Sequence, residues 1–167
     1  RLLPSAVKAN QSSQLKGAPE VLCIAKGQEL KALVIDDIQT NRDILSEVLR
    51  DLGIDAQVSA SAKDGIALIE KIKFDIVFMD ILMPEMDGIE ATKEIRKNIS
   101  SAELKIVAVT ALGLEEKRKI ALEAGCDDFL TKPFRVEKLV NTIAKLLPVE
   151  FIYSENKTSE ANEKLPL

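Results

Sequence analysis

The fold is decided by residues 74–80, FDIVFMD, a mostly apolar run that ends in the carboxylate of Asp80. Its β-branched and aromatic content indicates a buried β-strand. A second apolar run, residues 32–35, leads into the carboxylates of Asp36 and Asp37. Because open α/β sheets place their chemistry at the carboxyl ends of the strands, these two acidic strand ends predict a single site.

Outward from these strands, apolar runs alternate with segments of helical spacing from residue 31 to residue 147. This alternation predicts right-handed βαβ crossovers and a doubly wound α/β fold, in which helices cover both faces of a five-stranded parallel sheet. The predicted strands are residues 31–36, 54–59, 74–80, 104–110 and 128–131, and the predicted helices lie within residues 44–52, 62–72, 88–97, 115–124 and 136–147.

The same reading divides the chain into three parts. Residues 1–30 are punctuated by Pro, Gly and Ser and predict a mostly irregular linker, in which residues 21–24 could form a short strand. Residues 31–147 predict one domain. Residues 148–167 begin with a helix-stopping proline and become polar, which predicts a tail or linker.

Composition excludes several classes of function. The 167 residues carry 23 basic and 27 acidic side chains, and this mildly acidic balance argues against nucleic acid as a partner. The chain contains no histidine, so it holds no Ser-His-Asp triad, no histidine metal site and no phosphohistidine. Cys23 and Cys126 are far apart and indicate reduced thiols. No apolar run approaches the ~20 residues of a membrane helix, so we expect a cytoplasmic domain without membrane contact, although its parent could be anchored.

Five polar side chains lie at or just after the ends of the predicted strands: Asp36, Asp37, Asp80, Thr110 and Lys132. Three neighbouring carboxylates repel one another and therefore need a cation. Ligands that are all oxygens favour a hard cation such as Mg²⁺. Lys132 and Thr110 could then bind phosphoryl oxygens, and Asp80 could act as the nucleophile. The expected product is an aspartyl phosphate.

Four motifs extend this pattern: residues 33–37 (LVIDD), 79–88 (MDILMPEMDG), 109–112 (VTAL) and 124–134 (AGCDDFLTKPF). Over about residues 31–147 the chain resembles a response-regulator receiver domain of the chemotaxis-protein type. That resemblance implies a flavodoxin-like (βα)₅ fold with strand order 2-1-3-4-5, counting the five predicted strands along the chain.

The resemblance also implies a role for each acidic residue. Asp80 would be the phosphoacceptor. Mg²⁺ would be held by Asp36, Asp37 and Asp80, with the backbone carbonyl of Leu82 completing the protein ligands.

A second group of residues would bind and report the phosphoryl group. Thr110 would move to donate a hydrogen bond to it, and Lys132 would pair with it. Phe129 would be the switch aromatic that turns inward with Thr110. The peptide bond between Lys132 and Pro133 would be cis, as only X-Pro bonds readily are.

The resemblance implies a regulatory phosphoacceptor domain of a two-component phosphorelay, and not an enzyme. Its phosphodonor would be the dimerisation and phosphotransfer domain of a histidine kinase, and a downstream histidine phosphotransfer protein is a second partner that it allows. Residues 83–92 and 147–153 resemble receivers of hybrid sensor histidine kinases, which favours that context over a stand-alone regulator.

Two leucines depart from many relatives. Leu82 and Leu112 flank the expected acyl phosphate and offer no hydrogen bond to an attacking water. We therefore expect slow self-dephosphorylation.

Other interpretations remain open from the residues alone. One is a Mg²⁺-dependent phosphohydrolase with an aspartyl intermediate, although such enzymes need a second acid where Leu82 stands. Another is a flavodoxin-like nucleotide or flavin binder, which would need a phosphate loop in place of the acidic residues 36–37. Residues 36–37 could also simply cap a helix, and residues 117–119 (KRK) indicate a solvated helix face.

Overall fold

The structure, a computed structural model, describes residues 20–111 and 116–154. Leu112 and the flanking residues 1–19 and 155–167 lie outside these ranges. The strands are β1 (Val21–Ile24), β2 (Lys31–Ile35), β3 (Asp55–Ser59), β4 (Ile76–Asp80), β5 (Lys105–Ala111), β6 (Asp128–Lys132) and β7 (Phe151–Tyr153). The helices are α1 (Gln39–Asp51), α2 (Ala62–Lys71), α3 (Gly88–Arg96), α4 (Glu116–Ala124) and α5 (Val136–Leu146).

The central sheet confirms the predicted fold class. Its five strands are all parallel and lie in the order β3-β2-β4-β5-β6. Counting only these five strands along the chain, this is the predicted order 2-1-3-4-5. The carboxyl ends of β2 and β4, which carry the acidic residues, are therefore neighbours at the point where the strand order reverses.

Alternate residues of β2, β4, β5 and β6 pack into two separate cores, one on each face of the sheet, whereas the edge strand β3 contributes only Ala56. Val34 of β2 and Phe78 of β4 belong to the core that includes Leu49 of α1 and Leu139 of α5. The other face holds the core beneath α2, α3 and α4. The central strands β2, β4 and β5 form nearly continuous apolar runs in the sequence because both of their faces are buried.

A second, two-stranded sheet forms outside the predicted domain. β1 pairs antiparallel with β7, and the backbone N–H of Ser154 donates to the carbonyl of Glu20 at 2.7 Å. Ile24 is buried in the core beneath α1 and α5. The strand allowed at residues 21–24 is therefore present, and its partner β7 lies within the segment that the sequence assigns to a tail or linker. Three residues carry too little periodicity to predict a partner more than 120 residues away.

No helix within residues 20–111 or 116–154 combines the length and the hydrophobicity needed to cross a membrane.

Candidate functional site

Asp36 follows β2 and is held in place by its own loop. Its backbone N–H donates to the Ser59 carbonyl at 3.1 Å, and its Oδ1 accepts from the backbone N–H of Ile38 at 2.9 Å. Ile38, and not an aspartate, is the N-cap of α1, and it makes no side-chain cap hydrogen bond. Residues 36–37 therefore do not serve only as a helix cap. The second carboxylate oxygen of Asp36, Oδ2, lies 3.4 Å from Nζ of Lys132.

Asp80 ends β4, with only 6% of its surface exposed. The pKa of Asp80 is raised from 3.8 to about 6. The largest cause is burial, which penalises the charged carboxylate, and the next is the like charge of Asp36. Lys132 and a hydrogen bond from the backbone N–H of Leu82 oppose the rise. The folded protein thus holds Asp80 where a bare carboxylate is unfavourable.

Three carboxylates meet at this edge as the sequence predicts. Ligand oxygens of Asp36, Asp37 and Asp80 all lie within 4.8 Å of one another, with Asp37 exposed and the other two buried. Carboxylate oxygens at this spacing, without nitrogen or sulfur, suit a hard divalent cation that retains several waters, as Mg²⁺ does. Burial and the like charge of Asp36 raise the pKa of Asp80, and a bound cation would offset both by stabilising the charged carboxylate.

Lys132, at the end of β6, lies beside the same carboxylates. Its Nζ is 3.4 Å from Oδ2 of Asp36 and 4.0 Å from Oδ1 of Asp80. With 27% of its side chain exposed, Lys132 can reach both the acids and solvent. One ammonium shared by two buried carboxylates leaves net negative charge at the site.

Thr110 lies near the end of β5 and is fully buried. Its hydroxyl has no hydrogen-bond partner among residues 20–111 and 116–154. A buried hydroxyl without a partner costs free energy, so this oxygen is available to a group that enters the site.

Phe129 of β6 packs in the core beneath α2, α3 and α4, with 3% of its surface exposed. It is the parallel-strand partner of Ala108, two residues before Thr110 on β5. The aromatic ring and the threonine therefore face the same side of the sheet. The peptide bond between Lys132 and Pro133 is cis.

Gly88 contributes to the site by allowing α3 to approach the end of β4 closely. A Cβ at this position would overlap the backbone carbonyl oxygen of Asp80, and the Gly88 N–H donates to the Ile81 carbonyl at 2.9 Å. Asp87 begins α3 with a capping box, in which it exchanges hydrogen bonds with Glu90. Only glycine lets the first turn of α3 lie directly against the end of β4. The sequence contains a signal for this contact. Glycine is unfavourable in a helix, so a glycine at the start of α3 indicates that a side chain there would meet another part of the protein.

An open groove of about 490 Å³ runs from the acidic cluster between α1 and α5. Its lining is mainly apolar, and its polar end is formed by Asp36, Asp80, Asn41 and Lys132. Ile44 of α1 lines the groove and is 58% exposed. The carboxylate of Asp80 is thus accessible from an open, partly apolar side.

Leu82 lies just beyond Asp80 with 54% of its surface exposed. No acidic side chain occupies this position, which a phosphohydrolase of the aspartyl type would need. The acidic residues 36–37 likewise occupy the place where a flavodoxin-like binder carries its phosphate loop.

Comparisons with known proteins agree with this geometry. The family model of the response regulator receiver domain matches residues 32–144. The chemotaxis protein CheY of Halobacterium salinarum is 37% identical over 120 residues, which are 70% of this chain and 96% of that protein. The hybrid signal transduction histidine kinase G of Dictyostelium discoideum is 34% identical over 134 residues, which are 78% of this chain but only 4% of that kinase.

The fold is also similar to that of a solved structure. Chemotaxis protein CheY4 of Vibrio cholerae superimposes with a TM-score of 0.67 at 29% sequence identity, covering 72% of this chain and all of that one. A family model that matches most of the chain, together with a relative matched over nearly its whole length, settles the classification. The chain belongs to the response regulator receiver domain family of two-component systems.

Proposed function

We propose that this receiver domain accepts a phosphoryl group on Asp80 in a Mg²⁺-dependent reaction. The observation that carries the proposal is the acidic cluster, in which oxygens of Asp36, Asp37 and Asp80 lie within 4.8 Å. Lys132 stands 4.0 Å from the proposed acceptor. These groups are what a carboxylate nucleophile and a transferred phosphoryl group require.

The proposed cation is Mg²⁺, held by Asp36, Asp37, Asp80 and the backbone carbonyl of Leu82. When bound, Mg²⁺ would offset the charge of the carboxylates and polarise phosphoryl oxygens. The chain supplies the rest. Lys132 would bind a phosphoryl oxygen, and the buried Thr110 hydroxyl, which has no partner among the described residues, would donate a hydrogen bond to another.

The proposed donor is a phosphohistidine of a histidine kinase, since this chain contains no histidine. A carboxylate oxygen of Asp80 would form the new O–P bond while the P–N bond of the donor breaks. The imidazole would leave with the bonding electron pair and then take up a proton. The open groove beside Asp80 supports an approach by a donor domain.

The proposed output is a change in Thr110 and Phe129. A phosphoryl group at Asp80 would draw the Thr110 hydroxyl toward it, and Phe129 would occupy its inward position more fully. The domain would then act as a regulatory phosphoacceptor whose state is read by a further protein, such as a histidine phosphotransfer protein.

The test is labelling by acetyl phosphate, a small phosphodonor that removes the need for a known kinase. Wild-type protein with Mg²⁺ should form an acid-stable, base-labile phosphoprotein, and omission of Mg²⁺ should prevent it. Asp80→Asn should abolish labelling. Asp75→Asn changes an acidic residue directly before β4, at the opposite edge of the sheet, and should leave labelling unchanged. Labelling of Asp80→Asn at the wild-type level would refute the proposal.

We also propose that the chain is the receiver part of a hybrid sensor histidine kinase. Its similarity to the Dictyostelium kinase over 78% of its length supports this context. The test is the coding sequence that flanks residues 1–167. A histidine kinase core in the same reading frame would support the proposal, and a stand-alone reading frame would contradict it.

A further inference from the structure

Arg118 of α4 lies over the ring of Phe129. The guanidinium carbon is 5.8 Å from the ring centroid, within the range of a cation–π contact. The sequence predicts residues 117–119 to be a solvated helix face, and Arg118 and Lys119 are exposed. The structure in addition gives Arg118 a specific aromatic partner.

The helix that carries Arg118 is weakly anchored. Ala121 is the one buried residue of α4, while Ile120 and Leu122 are 43% and 40% exposed. Arg118 and Ala121 are three residues apart and therefore lie on the same side of the helix. Ala121 belongs to the same core as Phe129. The side of α4 that faces the ring thus combines a small methyl group with a guanidinium.

We propose that Arg118 is a positioning residue that stabilises the inward position of Phe129. The inference rests on the proposed switch role of Phe129 and extends it by naming a residue that sets the balance of the switch. In the inward position the ring is 3% exposed and the guanidinium covers it. An outward rotation would break this contact, so Arg118 favours one of the two positions.

The expected size follows from the exposure of the arginine. An exposed cation–π contact changes an equilibrium by about two- to fivefold. Arg118→Gln should therefore raise the ratio of outward to inward ring by about that factor. Arg118→Lys retains the charge but loses the planar guanidinium, so its effect should be smaller and of the same sign.

The experiment is ¹⁹F NMR on the full chain with ring-fluorinated phenylalanine. The chain has five phenylalanines, and the Phe129 signal is identified by its loss in Phe129→Leu. The matched control is Lys119→Gln, which removes the same charge one residue further along α4. Arg118→Gln should move the Phe129 signal toward its solvent-exposed position, and Lys119→Gln should leave it unchanged.

Two outcomes would overturn the inference. An unchanged Phe129 signal in Arg118→Gln would show that the contact has no influence on the ring. An equal change in Lys119→Gln would show a general effect of charge. Circular dichroism of each variant checks that α4 remains folded.

A second measurement on the same samples separates this inference from the proposed function. Beryllofluoride with Mg²⁺ mimics a phosphoryl group and should return the Phe129 signal of Arg118→Gln to the inward position, because ligand binding and ring position are linked. If beryllofluoride fails to bind wild-type protein, the proposed function fails, whereas the effect of Arg118 on the free protein is still measured. If it binds and the ring does not respond, the inference fails.

Discussion

The two edges of the five-stranded sheet differ in how their largely buried charged side chains are paired. At the amino edge, the guanidinium of Arg96 lies 2.7 Å from Asp127 and also donates to the carbonyls of the loops around it. At the carboxyl edge, Asp36 and Asp80 share the single ammonium of Lys132 at 3.4 and 4.0 Å. One edge has matched its charges, and the other holds an excess of negative charge.

The hydrogen bonds sharpen this contrast. Asp127 at the amino edge also accepts from the Ile106 N–H at 2.8 Å and from the Ser101 hydroxyl. Thr110, at the carboxyl edge, has a buried hydroxyl with no partner in the described part of the chain. A satisfied polar network fixes the fold, whereas an unsatisfied one is available to bind a ligand. We therefore expect the amino edge to contribute mainly to stability, and the carboxyl edge is where we propose that the phosphoryl group and its cation bind.

The largest effect on stability is expected from removing the ion pair between Arg96 and Asp127 at the amino edge. Arg96→Met would leave Asp127, whose side chain is only 12% exposed, without its counter-charge and should lower the free energy of unfolding by about 3 kcal/mol. Urea unfolding measures this change. Asp55→Asn is the matched control, because it breaks an exposed ion pair with Lys31 and should cost less than about 1 kcal/mol. Equal losses in the two variants would contradict the contrast between a buried network and surface charge.

The carboxyl edge should respond in the opposite direction. The pKa of Asp80 is about 6 in the folded protein, against 3.8 for a free aspartate. Folding therefore favours the protonated form. The contribution of protonated Asp80 to the free energy of unfolding is fully present below about pH 4 and is lost as the pH rises through 6.

Asp80→Asn should consequently be more stable than wild type at pH 7.5, by about 2–3 kcal/mol, and about equally stable near pH 4. Urea unfolding at both pH values checks this, and Mg²⁺ should narrow the difference at pH 7.5 by stabilising the wild type. A difference that is independent of pH would show that the charge of Asp80 is not what destabilises this edge.

Removal of the Thr110 hydroxyl, which has no partner among the described residues, tests the role of this group directly. Thr110→Val should not lower the free energy of unfolding, because no hydrogen bond to a described residue is lost and the cost of burying an unpartnered hydroxyl is removed. It should weaken binding of beryllofluoride with Mg²⁺ by about tenfold or more, since hydrogen bonds to charged groups are the stronger ones.

The control is Thr142→Val in α5. Thr142 is also buried, but its hydroxyl donates to the Lys138 carbonyl at 2.9 Å. This variant should lose about 1 kcal/mol of stability and retain the affinity for beryllofluoride. Loss of affinity in Thr142→Val alone would reverse the roles assigned to the two threonines.

The smallest effect concerns the lifetime of the proposed acyl phosphate. Leu82→Asn introduces an amide that can hydrogen-bond an attacking water, and dephosphorylation should become about three- to tenfold faster, a barrier change of ~1 kcal/mol. The decay of labelled protein measures the rate. Leu22→Asn changes a leucine of similar exposure on β1 and should leave the rate unchanged. A slower decay in Leu82→Asn would contradict the expectation that Leu82 limits hydrolysis.

Much of the fold was predictable because the central strands obey simple rules. Mostly apolar runs identified the central parallel strands, and the rule that parallel strands end at one edge predicted that Lys132 lies close to Asp36 across 96 residues of sequence. This worked because all parallel strands end at one edge. The rule needs no knowledge of side-chain contacts.

The parts that escaped prediction depend on particular contacts. The pairing of Arg96 with Asp127 spans 31 residues and follows no hydrophobic period. β7 is three residues long, and its pairing with β1 is fixed by tertiary contacts. The close approach of Gly88 to Asp80 becomes evident only when α3 and β4 are in place. Sequence patterns report burial, but they do not report which two polar groups meet.

The most direct test of the central assignment locates the phosphoryl group. Protein treated with acetyl phosphate and Mg²⁺ is reduced with borohydride, which converts an aspartyl phosphate to homoserine, and the modified residue is identified by mass spectrometry. Homoserine at position 80 alone is the predicted result. Modification at Asp36 or Asp37 with an unmodified Asp80 would contradict it.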